Sequence, residues 1–227
     1  MLQIYIGYDP REAVAYDVLA HSIRRRASIP VMIKPLVQKE LRDAGLYARA
    51  RGPTESTEFS LTRFLVPALA GYRGWSLFMD CDMLCLADIG ELAALQDPGK
   101  AVLVVKHDYV PKTQRKFLDQ VQTKYERKNW SSLMLFNNER CRALTSQYVN
   151  SASGLELHRF KWVEDAAVGE LPKEWNWLVT EYDNNPAAKI VHYTLGGPWF
   201  DAYRNSEYAS EWFAEREAMR EERAGSR

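Results

Sequence analysis

The chain has 227 residues, 46% of them hydrophobic and 26% charged, enough apolar material for a buried core and too much for a disordered or fibrous chain. Thirty Lys+Arg balance thirty Asp+Glu, so the one-signed field of a general nucleic-acid or membrane-surface binder is missing. Cys81, Cys85 and Cys141 are too few for a disulfide scaffold and lack zinc spacing, which leaves them as buried thiols.

Met1–Gly7 opens as a strand, without the basic-then-apolar layout of a leader peptide, and no apolar run reaches membrane-spanning length. A cytoplasmic, reducing location is therefore expected, with no transmembrane segment. Asp9-Pro10-Arg11-Glu12 has the spacing of a capping box and predicts a helix to about Arg26, with Ala13, Tyr16, Val18 and Ile23 on or near its buried side. Val31–Leu36 predicts a strand, with Pro35 marking an edge or an end, and Leu41–Thr57 a loop with a short helix. Glu58–Gly71 predicts a helix kinked at Pro67, and Trp75–Met79 a strand running into Asp80-Cys81-Asp82. A helix near Ile89–Leu95, a strand at Ala101–Lys106 and a helix over Gln114–Lys128 follow. Ser132–Asn137 predicts a strand, Glu139–Asn150 a helix, Lys189–Tyr193 the last strand and Ser206–Arg223 a charged helix. Strands alternating with helices predict an α/β fold around a mainly parallel mixed sheet. With no internal repeat and no long linker, one domain over 1–227 is expected.

The sharpest chemical signal is the apolar strand that ends in Asp80-Cys81-Asp82. Strand alternation puts both carboxylates on one side and Cys81 on the other. In an open α/β sheet this is the end where ligands bind, and two acids there repel unless a cation such as Mg²⁺ or Mn²⁺ lies between them. Two solvated loop acids, one of them capping the next helix, would give the same letters. Haloacid-dehalogenase-type phosphotransferases also carry D-x-D after a strand, but resemble D-x-D-x-T, and Leu84 stands at the Thr position here. Further on, His192 ends a strand and Gly196-Gly197 follows it. An imidazole suits Mn²⁺ and a glycine backbone can approach a phosphate closely, although a lone histidine at a strand end also fits a structural role.

These residues belong to a longer ordered set: Ile4-Tyr-Ile-Gly7-Tyr8-Asp9, Phe59-Ser-Leu-Thr-Arg63-Phe, Leu77-Phe-Met-Asp80-Cys-Asp82, Asp88-Ile-Gly-Glu-Leu92, Leu133-Met-Leu-Phe-Asn137, Leu171-Pro-Lys-Glu-Trp175-Asn176 and His192…Gly196…Pro198-Trp199. The set resembles glycosyltransferase family 8, the glycogenin and bacterial galactosyltransferase type, from about Gln3 to Trp199. The resemblance implies a GT-A fold and metal-dependent transfer of a glycosyl group from a nucleotide sugar, expected to be UDP-linked, to a hydroxyl acceptor, with retention. The acceptor would be a glycan, a lipid-linked sugar or another hydroxyl. It further implies that Asp80, Asp82 and His192 hold Mn²⁺ or Mg²⁺, that Gly7, Tyr8 and Asp9 hold the base and ribose, and that Arg63 faces the nucleotide sugar. Gly196 and Gly197 would lie against the phosphates.

The chain departs from the family in its closing motif, which is one residue shorter and lacks the lysine that contacts the diphosphate. The family's D-Q-D appears as Val163-Glu164-Asp165. Glu164 or Asp165 is the expected catalytic carboxylate, steadying an oxocarbenium-like centre; both also read as helix-start residues. A non-catalytic nucleotide-sugar or glycan-binding module of the same fold is the alternative. Of Trp130, Trp162, Trp175, Trp177 and Trp199, one or two are expected to stack on sugar, with Trp175 and Trp199 bracing motif loops. Lys106–Lys128 carries seven Lys/Arg against three acids, a solvated face or a lure for an anionic acceptor.

Overall fold

A computed structural model describes residues 1–52, 55–108, 115–116, 120–121 and 126–225. The chain opens with β1 (Leu2–Gly7), a 3-10 turn (Pro10–Glu12) and α1 (Ala13–Arg26), then β2 (Val31–Leu36) and α2 (Gln38–Asp43). A 3-10 turn over Thr62–Leu65 leads into α3 (Val66–Leu69), followed by β3 (Trp75–Met79), β4 (Met83–Cys85), α4 (Ile89–Ala93) and β5 (Val102–Val104). The two-residue strands β6 (Arg115–Lys116) and β7 (Gln120–Val121) pair antiparallel. Then come β8 (Leu133–Asn137), α5 (Ser146–Ser151), α6 (Gly154–His158), β9 (Val168–Glu170), β10 (Trp177–Leu178), β11 (Ile190–His192) and α7 (Ala209–Gly225).

The main sheet has the order β2-β1-β3-β8-β5-β9. Its strands are parallel except β8, which runs antiparallel to both β3 and β5. β3 and β8 sit at its centre and are apolar runs without alternation, because both faces of the sheet are covered. The edge position of β2 accommodates Pro35, as expected. A second sheet, β10-β11-β4, stands apart from the first, and β11 pairs antiparallel with β4, immediately beyond the acids that end β3. That crossover brings His192 to the carboxyl end of the main sheet.

Local differences from expectation have local causes. Asp9 caps a 3-10 turn rather than an α-helical one, with its Oδ1 accepting from Arg11 N at 3.0 Å, and the Glu12 side chain turns inward instead of closing a capping box. Pro67 lies in the first turn of α3, where its missing N–H costs nothing, so it opens a helix instead of kinking one. The expected helix over Glu139–Asn150 is broken: a 3-10 turn covers Asn138–Arg140, and α5 begins only after Thr145 accepts from Tyr148 N at 3.0 Å. The helix expected over Gln114–Lys128 lies mostly outside the described residues, and its described middle pairs as β6 and β7. The C-terminal helix is docked, not free: Trp212 and Met219 are buried against Val18, Leu84 and Val191. His21 of α1 meets the buried Glu215 at 2.6 Å, and Arg26 meets it at 2.7 Å. Among the described residues no helix is long and apolar enough to cross a membrane.

Candidate active site

A cavity of about 540 Å³ opens at the carboxyl ends of β1 and β3. Asp80, Asp82, His192, Glu12, Arg63, Thr194 and Gly196 line it, together with Ser131, His158 and Arg159. One ligand atom each from Asp80, Asp82 and His192 lies within 4.8 Å of the others. His192 Nε2 is 3.2 Å from Asp82 Oδ1 and 4.0 Å from Asp80 Oδ2. Asp82 Oδ1 is buried without a hydrogen bond. Two carboxylates and an imidazole converging on one point form a donor set for a hard or borderline divalent cation, and the unsatisfied Asp82 oxygen fits that use.

Each member of the triad is braced. The Asp80 amide donates to Ser132 O at 2.9 Å and the Asp82 carbonyl accepts from Tyr193 N at 2.9 Å, tying the acids to both sheets. Arg63 is buried and its Nη1 lies 2.9 Å from Asp80 Oδ1 and 2.9 Å from Ser131 O. The guanidinium sits between the rings of Phe59 and Phe78, 5.4 and 5.0 Å from their centroids. His192 Nδ1 is 3.0 Å from Asn176 Oδ1, while Asn176 Nδ2 donates to Ser132 Oγ at 2.8 Å. Asn176 was visible in sequence only as part of the Leu171–Asn176 motif; the structure makes it the partner that orients the histidine.

The other expected residues divide. Arg63 and Gly196 reach the cavity; Gly7, Tyr8, Asp9 and Gly197 do not line it. Gly7 is packed under Phe59, whose ring would lie 2.4 Å from an added Cβ. Tyr8 makes an edge contact with Tyr16 at 5.6 Å. Asp9 is buried and bound to Arg11 at 2.5 Å and to Glu58 N at 3.3 Å; burial alone would raise its pKa, but the Arg11 hydrogen bonds and charge hold it below the usual range. Gly197 is covered by Trp199, with an added Cβ 2.0 Å from the ring.

Glu164 and Asp165 are exposed and do not line the cavity. Arg127 meets Asp165 at 2.7 Å and its hydrogen bond and charge lower the Asp165 pKa. No tryptophan lines the cavity. Trp175 is core, and Trp199 packs on Tyr193 and Trp212 behind the Gly196-Gly197 turn. The three thiols are free and buried.

Glu12 was read in sequence as a capping residue, yet it is only 3% exposed, lines the cavity and faces the acid pair. Burial first, then the charges of Asp82 and Asp9, push its pKa up to about 9. Thr194 Oγ1 is a second buried cavity group without a hydrogen-bond partner.

No protein-family model matches the chain. Among solved structures it is similar to the bifunctional glycosyltransferase WbbM (TM-score 0.65, 17% identity, 95% of this chain and 49% of that one). It is also similar to the glycosyltransferase GlyE of Streptococcus pneumoniae TIGR4 (TM-score 0.62, 13% identity, 95% and 61%). The galactosyltransferase LgtC, solved with donor and acceptor sugar analogs, matches at TM-score 0.60 and 11% identity over 95% of both chains. The chain thus spans about half of WbbM and 61% of GlyE, but nearly all of LgtC. These likenesses give it the GT-A glycosyltransferase fold that the family resemblance implied. In sequence it is 50% identical to Protein CDI of Arabidopsis thaliana, over 97% of this chain and 88% of that protein. The chain belongs to the Protein CDI family.

Proposed function

We propose that this protein transfers a glycosyl group from a divalent-metal-bound nucleotide sugar, UDP-linked, to a hydroxyl acceptor with retention, as a divergent relative of glycosyltransferase family 8. The observation that carries the reading is the Asp80–Asp82–His192 triad at the mouth of β3, inside a cavity of the size a nucleotide sugar needs. Asp80, Asp82 and His192 would hold Mn²⁺ or Mg²⁺, and the bound ion supplies charge neutralisation of a diphosphate leaving group. Arg63 holds the Asp80 carboxylate in place through one nitrogen and the β8 approach through the same nitrogen. Asn176 fixes the ring of His192. Thr194 Oγ1, a buried cavity hydroxyl without a partner, would donate to a phosphate oxygen in the motif that lacks the family's lysine; the Gly196 N–H is already bound to Tyr193 O at 2.9 Å. The walls around the triad are largely buried, so an acceptor hydroxyl would attack in a water-poor cleft.

The test is a thermal-shift and calorimetric panel of UDP, UDP-glucose and UDP-galactose with and without Mn²⁺, followed by assay of donor hydrolysis. Metal-dependent stabilisation with UDP release supports the enzyme. Stabilisation without release supports the binding module, a reading favoured by the exposed positions of Glu164 and Asp165. No stabilisation by any nucleotide sugar overturns both. Proton NMR of the first product checks retention.

A further inference from the structure

Glu12 is an acid in a place that is costly for an acid. Its residue is 3% exposed, it lines the same cavity as Asp80 and Asp82 and feels their charges, and among the described residues no hydrogen bond reaches its carboxylate. The tight turn Pro10–Glu12, closed by Glu12 N to Asp9 O at 2.9 Å, aims the side chain into the cavity rather than back at the helix start. Buried carboxylates are ordinarily paired or hydrogen-bonded. Here the nearby charges that act on it are chiefly other carboxylates, Asp82, Asp9 and Asp80, of which Asp9 is already neutralised by Arg11. Once a cation draws off the Glu12 proton, Glu12, Asp80 and Asp82 set against the buried Arg63 leave two negative charges, the complement of one divalent ion. The buried Asp82 Oδ1 also lacks a hydrogen bond, and Asp82 lines the same cavity.

We propose that Glu12 is a third carboxylate of the cation site, acting on the ion from the outer sphere. Its carboxylate is not among the ligand atoms that gather within 4.8 Å, so it would reach the ion through a coordinated water. Small hard divalent cations keep several waters when bound to proteins, and those waters need acceptors. Glu12 then serves two ends: its charge raises cation affinity, and its hydrogen bond fixes one water so that the remaining positions stay open to a diphosphate. The inference rests on the cation site in the proposed function and names a residue that the D-x-D and the histidine do not include.

The test measures Mn²⁺ binding to the metal-free full chain, by calorimetry and by the loss of the free Mn²⁺ electron-spin signal, together with the melting temperature of the metal-free protein. Glu12→Gln keeps the shape and removes the charge. The expected result is a 10–100-fold loss of Mn²⁺ affinity with a metal-free melting temperature equal to or above that of the parent. A Mn²⁺ affinity within about twofold of the parent overturns the inference, whatever the melting temperature does, and leaves the triad standing. A parent that binds no Mn²⁺ overturns the triad and the inference together. If Glu12→Gln does not fold, Glu12→Met is read in the same way.

Discussion

Asn176 Oδ1 lies 3.0 Å from His192 Nδ1, and the other end of the same amide donates to Ser132 Oγ at 2.8 Å. Ser132 Oγ donates its own proton to Asn129 O at 2.7 Å, so it accepts from the amide nitrogen and leaves the amide oxygen, which can only accept, facing the ring. The Nδ1 therefore donates to the amide, and Nε2 is the ring nitrogen turned to Asp82 and Asp80. A histidine held in that orientation opposite two carboxylates is placed as a candidate metal ligand. Asn176→Leu is expected to lower Mn²⁺ affinity about 10–100-fold, as loss of an orienting partner does elsewhere. Asn176→Asp keeps an acceptor for the Nδ1 proton and should lose less. Calorimetric titration of the two variants checks the difference.

Arg63 is enclosed by Phe59 and Phe78 and gives Asp80 its cationic partner. Arg63→Met fills the space but leaves the carboxylate without that charge, so the metal-free protein should lose about 3 kcal/mol or more of stability. Mn²⁺ supplies a replacement positive charge, and saturating Mn²⁺ should restore part of the loss. Denaturant unfolding with and without Mn²⁺ reads both numbers.

Gly197 has no room for a side chain because Trp199 occupies it. Gly197→Ala forces the indole out of its packing on Tyr193 and Trp212, at a cost of about 1–3 kcal/mol. Mn²⁺-dependent UDP binding, measured below the melting transition, should stay within a few-fold of the parent. A selective loss of UDP binding at unchanged stability would instead place Gly197 against the diphosphate.

His107 is buried with its Nδ1 2.9 Å from the Tyr182 hydroxyl, and burial, helped by the charges of His192 and Lys173, drives its pKa down to about 3. The unfolded chain takes up this proton near pH 6.5 and the folded one does not, so the contribution is fully present above pH 6.5 and is lost as pH falls toward 3. The slope from this one group is at most about 1.4 kcal/mol per pH unit. His107→Gln should flatten the fall of unfolding free energy between pH 6.5 and pH 4.5, measured by denaturant titration at fixed ionic strength.

What could be read from the chain alone was what depends on near neighbours. An apolar run that ends in Asp80-Cys81-Asp82 is a buried strand with two acids on one side, and alternation is enough to say so. The alternation of strands and helices, and the edge position implied by Pro35, are equally local and match the main sheet. The fate of the other acids is decided by what surrounds them. Glu12 and Asp165 both stand at a helix start, yet the turn at Asp9 folds one into the cavity, while Arg127, which does not line the cavity, holds the other outward. Asn176 and His192 are separated by a loop, and only the parallel pairing of β10 with β11 brings the amide under the ring. Pairing partners are chosen by total burial across the sheet, a sum over distant segments that no local pattern contains, and the Asp80–Asp82–His192 cluster is assembled by that sum.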